Sequence, residues 1–270
     1  MKGKYDMKKV KHIILWSLIA IYILVVLGFV GERQQRLVCN TVEVHILDSL
    51  RSSFIFDKSI RNLLQQKGIN LIGKNFAEID LPYLESVVSS YPPVEKAEIY
   101  KTSEGKLVIE VRQRNPILRI IDINNESYYL DDKGYMMKLS CNYTSNVIIA
   151  NGNIKTGFPV NNKINVLTLE ANAKGKRVML AELFKLAKFI SNDRFWNSQI
   201  EQIFVNASGD IEVIPRVGAH IIIIGEYNDC EEKFSNLMSF YKNGLSIAGW
   251  NTYETINLKY KGQVICTKRE

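Results

Sequence analysis

Histidine is the scarcest chemistry-bearing residue of this 270-residue chain, with His12, His45 and His220 the full set. Neither H-x-x-x-H nor C-x-x-C spacing occurs, so no metal site is predicted. No G-x-S-x-G nucleophile elbow and no phosphate-binding glycine loop is present, which leaves acyl and phosphoryl transfer without machinery. Six prolines and no low-complexity run exclude a long flexible stalk. Cys39, Cys141, Cys230 and Cys266 are too few and too widely spaced for a disulfide scaffold, and unpaired buried thiols are expected. Acidic charge is also in deficit, at a net +7, but the first 12 residues alone hold five lysines against Asp6. The other 258 residues carry only +3, so a basic stripe for nucleic acid is not predicted.

What the chain does have is one long uncharged apolar run, Ile13 to Val30. As a helix it reaches roughly 27 Å, close to the ~30 Å hydrocarbon core of a bilayer. Lys2, Lys4, Lys8, Lys9 and Lys11 precede it, which places residues 1–12 in the cytoplasm and the remainder across the membrane. The competing reading, a cleaved signal peptide, requires a shorter apolar region and a small-x-small site. Phe29 stands two places before Gly31, where a small residue is needed. A retained anchor running from Ile13 to Val30 is therefore expected, with no G-x-x-x-G dimer face.

The following residues read as two blocks. In the first, 38–116, Thr41 to Ile46 alternates like a half-buried strand. Asp57 is expected to cap a helix that buries Ile60, Leu63 and Leu64 and stops at Gly68. Asp80 caps a second, with Pro82 in its first turn and Leu84, Val87 and Val88 turned inward. Val94 to Tyr100 and Leu107 to Val111 form a hairpin around Thr102 to Gly105. The order is strand, helix, helix, strand, strand, and both helices must cover one sheet face.

The second block, 117–270, is richer in strand. Ile117 to Ile123, Ser127 to Leu130, Val147 to Ala150, Ile200 to Val205, Ile211 to Ile214 and Ala219 to Ile224 read as extended. Two helices are expected. Val178 to Ser191 is amphipathic, and Asp229 to Tyr241 opens with a capping box through Glu232 and ends at Gly244. Thr255 to Lys259 and Gly262 to Cys266 are the last strands. The fold class is α+β: a single N-terminal transmembrane helix, a β-α-α-β-β unit, then a mixed, mostly antiparallel β domain with two helices.

These segments resemble a known family. Gly68-Ile69-Asn70-Leu71, Asp80 with Leu84, and Pro93-Val94-Glu95-Lys96-Ala97-Glu98-Ile99 are similar to the POTRA domain of FtsQ/DivIB-type bacterial cell-division proteins. So is Leu107-Val108-Ile109-Glu110-Val111-Arg112-Gln113-Arg114-Asn115-Pro116, where Gln113 replaces the acid of the family's usual E-R-x-P. Tyr129-Leu130-Asp131-Asp132-Lys133-Gly134 resembles the hairpin that opens the family's β domain. Ile256-Asn257-Leu258-Lys259-Tyr260 resembles its terminal strand, with Asn257 for Asp and Lys259 for Arg, and Asn142 to Lys176 matches least well.

The resemblance implies a non-enzymatic divisome scaffold of the inner membrane, its bulk periplasmic and enriched at the septum, that binds FtsB/FtsL-like proteins and other divisome components. It also implies that the terminal strand region accepts the partner by strand addition. Here that region is Tyr260, Lys261, Gly262, Gln263, Val264, Ile265 and Cys266. An unpaired edge is a liability unless covered, which suits this role. Lys261 would guard the edge or pair with an acidic helix, and the alternative is an ordinary terminal strand paired on both sides.

No catalytic, cofactor-binding or metal residues are predicted. His45 and His220 lie in strand-like runs, and Asp131 with Asp132 before Lys133-Gly134 reads as hairpin chemistry rather than paired acid-base carboxylates. Two rivals remain: a POTRA-type factor for envelope export or assembly, and a membrane-tethered cell-wall enzyme. The first usually carries repeated POTRA units or a barrel, and the second lacks a nucleophile-base pair.

Overall fold

The structure is a computed structural model that describes residues 12, 14–25, 37–48 and 53–270. Residues 14–25 form helix α1. It is apolar all round and exposes its large side chains, Trp16 at 69% and Tyr22 at 70%. Among the described residues no helix is long and apolar enough to cross a membrane. The expected anchor extends further than α1, because Ile13, Val30 and the segment 26–30 lie outside the described residues, as does the basic tail up to residue 11.

The remaining chain divides into two compact units, one holding Ile55–Arg112 with the chain up to Leu47, the other Asp48–Phe54 with Gln113–Glu270. In the first unit, β1 (Thr41–Ile46) is followed by α2 (Asp57–Gln66), α3 (Leu81–Ser89), β2 (Val94–Lys101) and β3 (Lys106–Gln113). The sheet order is β1-β3-β2, with β1 parallel to β3. Asp80 caps α3 as expected, its Oδ1 accepting from Tyr83 N–H at 3.0 Å. Asp57 does not cap α2; Phe56 holds the cap position, and Asp57 instead pairs with Arg61 one turn along at 2.8 Å. Ile60, Leu64, Leu84, Val88, Val94, Leu107 and Ile109 are each buried, each contributing roughly 1.5–3 kcal/mol.

The second unit is built on one nine-stranded sheet. Its strands are β4 (Pro116–Ile121), β5 (Ser127–Asp131), β6 (Met136–Lys138), β7 (Ile148–Gly152), β8 (Ile200–Val205), β9 (Ile211–Pro215), β10 (Ile221–Gly225), β11 (Tyr253–Asn257) and β12 (Ile265–Lys268). The spatial order is β12-β11-β10-β9-β8-β7-β4-β5-β6. The pairs β4–β7, β7–β8 and β10–β11 are parallel and the rest antiparallel.

Period-two alternation sends Leu118, Ile120, Leu130, Ala150, Ile203, Val213, Ile222 and Ile256 into one core with helix residues Leu183, Phe184, Leu186, Phe234 and Leu237. On the opposite face Phe54 fills the β5 end. Its ring stands edge-on to Tyr129 and Tyr143, with centroids 5.9 and 4.7 Å away. Further along that face Ile149 and Ile221 stay 37% and 36% exposed.

Among the described residues five helices, not two, accompany this sheet: α4 (Val166–Asn172), α5 (Met179–Asn192), α6 (Arg194–Gln199), α7 (Cys230–Phe240) and α8 (Ser246–Ala248). The short α4 starts where Asn165 Oδ1 accepts from Leu167 and Thr168 N–H, in the stretch least like the family pattern. The capping box expected at Asp229 and Glu232 is absent. Asp229 adopts a left-handed φ of 47° and makes no side-chain cap bond. Gly244 does not end this helix either. The backbone continues through a π-helical turn at Tyr241–Leu245 into α8, and Gly249 at φ 93° stops it. All four cysteines are free thiols; Cys39 and Cys230 are buried, Cys266 is partly so and Cys141 is exposed.

Candidate functional site

The candidate site is the β12 end of the large sheet. β11 leads to it through buried Leu258, whose N–H donates to Ile223 O at 2.8 Å. Asn257 Oδ1 then accepts from Lys259 N–H at 2.9 Å, and Lys259 Nζ reaches Asp210 Oδ2 at 2.7 Å. The chain reverses at Gly262, with φ 67°, and Gln263 N–H closes onto Tyr260 O at 3.2 Å. Of the expected site residues, Tyr260, Lys261 and Gly262 therefore form the turn, Gln263 and Val264 connect it, and only Ile265 and Cys266 lie on the strand.

The strand continues past them through Thr267 to Lys268, two residues that sequence reasoning left out. The β-branched Ile265 and Thr267 around Cys266 were the signal for it.

Antiparallel register sets Cys266 opposite buried Ile256 and Ile265 opposite Asn257. Cys266 and Val264 pack on the core side, and burial pushes the Cys266 thiol pKa up. Ile265 faces outward, 46% exposed. Arg269 N–H donates inward to Thr252 O at 3.0 Å. Alternate residues of an extended strand bond on the same side, so Thr267 and Ile265 turn their backbone groups to β11. Cys266 and Lys268 turn theirs outward, and β12 has no neighbour there among the described residues.

At the other end of the sheet the first residue of β6 and the turn before it are covered. Met136 N–H on β6 donates to Ile164 O at 3.0 Å, and Val166 N–H donates to Gly134 O at 2.9 Å. Asn165 Nδ2 adds a bond to Lys133 O at 2.8 Å.

Behind β12, two groups brace the edge. His220 is buried with its Nε2 3.0 Å from the Tyr241 hydroxyl, and the Tyr241 and Trp250 ring centroids stand 5.0 Å apart. Burial lowers the His220 pKa and raises that of Tyr241. The Arg269 guanidinium donates to Ala219 O, tying the C-terminal end of β12 to the start of β10. At the other end a cleft of about 120 Å³ runs between the start of α7 and the Tyr260 turn. Lys233 in its wall is buried, donates to Ile224 O at 2.9 Å and Glu226 O at 3.0 Å, and has its pKa lowered by desolvation. Among the described residues no group of three His, Cys, Asp or Glu is arranged to hold a metal ion.

A family model described as "FtsQ/DivIB, C-terminal related" matches residues 115–267, more than half of the chain. The chain belongs to the FtsQ/DivIB family. A POTRA-like domain model matches residues 37–112, which hold the β1-α2-α3-β2-β3 unit. Family membership points to a role in cell division, and both domain types are of a non-enzymatic kind. No curated protein matches the chain. The segment that resembled the family's hairpin, Tyr129 to Gly134, is the β5–β6 turn, where Asp131 Oδ1 accepts from Lys133 and Tyr135 N–H at 3.0 and 2.7 Å. The segment that resembled the family's terminal strand, Ile256 to Tyr260, takes in the end of β11 and the start of the turn before β12.

Proposed function

We propose that this FtsQ/DivIB-family chain is a non-enzymatic divisome scaffold anchored in the inner membrane by the Ile13–Val30 segment. Its bulk is periplasmic, and it recruits an FtsB/FtsL-type coiled-coil pair by adding a partner strand to β12. The observation that carries this reading is the asymmetry of the large sheet. The start of the β6 edge is covered by Ile164 and the turn before it by Val166, while β12 presents the outward N–H and C=O of Cys266 and Lys268. Ile265 beside them supplies an apolar contact, and Lys261 and Lys268 flank the strand with positive charge for an acidic partner. β12 is short, which limits its own aggregation and suits an edge that awaits a partner.

The test is binding of the purified FtsB/FtsL-type pair to the full chain. Cys266→Pro removes an outward donor and leaves the ladder to β11 in place, so partner affinity should fall by about tenfold or more with unfolding unchanged. Val264→Pro, which lies before the strand, should have a smaller effect. A folded Cys266→Pro variant that binds the pair at wild-type affinity would remove β12 as the acceptor. A fluorescent fusion at Met1 that spread evenly over the membrane of dividing cells would count against the divisome role itself.

A further inference from the structure

The three-stranded sheet of the first unit also has two edges, β1 and β2, and a helix side chain occupies each of them. On β1, Leu47 N–H beyond the strand end donates inward to Val111 O at 3.0 Å, so Val42, Val44 and Ile46 turn their backbone outward. The Val42 carbonyl is taken by Arg61 Nη2 from α2 at 2.8 Å. Arg61 is itself held by Asp57, with Nε to Oδ2 at 2.8 Å. On β2, the eight-residue outer strand, the Ile99 N–H is taken by Glu85 Oε1 from α3 at 3.0 Å. Lys101 then leaves the end of β2 to donate to the carbonyls of Phe76 and Ile79.

We infer that Arg61 and Glu85 are edge plugs, charged side chains that stand in for a missing strand and reserve strand addition for the C-terminal edge. This rests on the reading of β12 as the acceptor and adds why the protein does not capture strands elsewhere. A cation is placed on a strand carbonyl and an anion on a strand N–H, so each plug has the polarity of the group it satisfies. An incoming strand would have to displace a charge-assisted hydrogen bond at either edge before forming its own. Among the described residues no such bond is lost at β12. The β2 edge is long enough to be a hazard without this, since a flat run of that length is a template for pairing.

The experiment uses the full chain carrying Cys266→Pro, so that β12 is blocked and the fate of the β12 reading does not enter. The probe is a labelled peptide of sequence KLVIEVRQ, the β3 segment that natively pairs with both edges. With the plugs intact the peptide should not bind. With Arg61→Ala and Glu85→Ala it should bind, and the Ile99 amide should exchange with solvent about tenfold faster or more while Ile109 at the sheet centre stays protected. Glu85→Gln, which keeps the acceptor oxygen, should retain Ile99 protection. Equal peptide binding with and without the plugs would overturn the inference. So would a double variant that binds no peptide, whether or not Ile99 is exposed.

Discussion

Arg114 Nη1 donates to Asp131 Oδ2 at 2.6 Å inside the second unit, where the two side chains are 10% and 1% exposed. The arginine comes from the segment entering β4 and the aspartate ends β5, so the bond joins the entrance of the unit to its first hairpin. Arg114 also lies over the Tyr135 ring, 5.0 Å from its centroid. Burial raises the Asp131 pKa, outweighing the Tyr135 and Lys133 N–H groups and Arg114, which all lower it. Asp131 therefore takes a proton more readily folded than unfolded. Keeping Asp131 ionised costs stability at neutral pH, and that cost fades as pH falls through the folded value.

Removing one partner is a different matter from the net worth of the pair. Arg114→Leu leaves a buried carboxylate without its counter-charge and should destabilise the second unit by about 3–5 kcal/mol. Adding Asp131→Asn removes that charge and keeps an acceptor for the Lys133 and Tyr135 N–H groups, so most of the loss should return. Urea unfolding followed through Trp196 and Trp250 fluorescence reads this. A double variant no more stable than Arg114→Leu would show that the turn, not the charge, carries the effect.

His220 makes the second unit acid-sensitive. Burial, with the nearby Arg269 charge adding to it, holds the imidazole below its ordinary value of 6.5, against a weaker opposing pull from the Trp250 backbone. An unfolded histidine takes a proton below about pH 6.5 while the folded one stays neutral, so stability is present above that pH and is lost as pH falls. The loss cannot exceed about 1.4 kcal/mol per pH unit, the limit for one proton bound on unfolding. Melting curves between about pH 7.5 and 5.5 should show it, and His220→Gln should flatten it. An unchanged slope in that variant would assign the sensitivity to another group.

Gly152 at the end of β7 is required by backbone geometry. Its φ is 99°, and a Cβ there would stand 2.2 Å from Val205 O on β8. Gly152→Ala should therefore cost roughly 2–4 kcal/mol, from strain and a backbone clash that no rotamer relieves. Gly157→Ala, where a Cβ would meet nothing within 4 Å, is the comparison at a similar positive φ of 71°. Thermal denaturation of the two variants should separate them clearly. Equal losses would mean that φ strain alone accounts for Gly152.

Much of the local structure was legible along the chain. β1 spans the predicted Thr41–Ile46, Asp80 caps α3, and Gly105 and Gly134 sit at positive φ in two hairpin turns. The FtsQ/DivIB resemblance was readable too, because turn glycines and core alternation recur at fixed spacing. The candidate edge was legible only to within a few residues. Its hydrophobic pattern reaches Ile265 and Cys266, but the Tyr260 turn uses up the residues expected to begin the strand.

What the sequence by itself determined is which residues turn inward and where the backbone reverses, since both follow from side-chain period and glycine or aspartate chemistry within a few positions. Only the tertiary structure decided which strand lies beside which: that β10 pairs parallel with β11, and that Ile164 covers the start of β6. The same holds for Arg61 reaching Val42, Glu85 reaching Ile99 and Arg114 finding Asp131. Periodicity names a buried face but not the neighbour that buries it. An edge is defined by the absence of a neighbour, a property of the whole sheet and not of the strand's own residues.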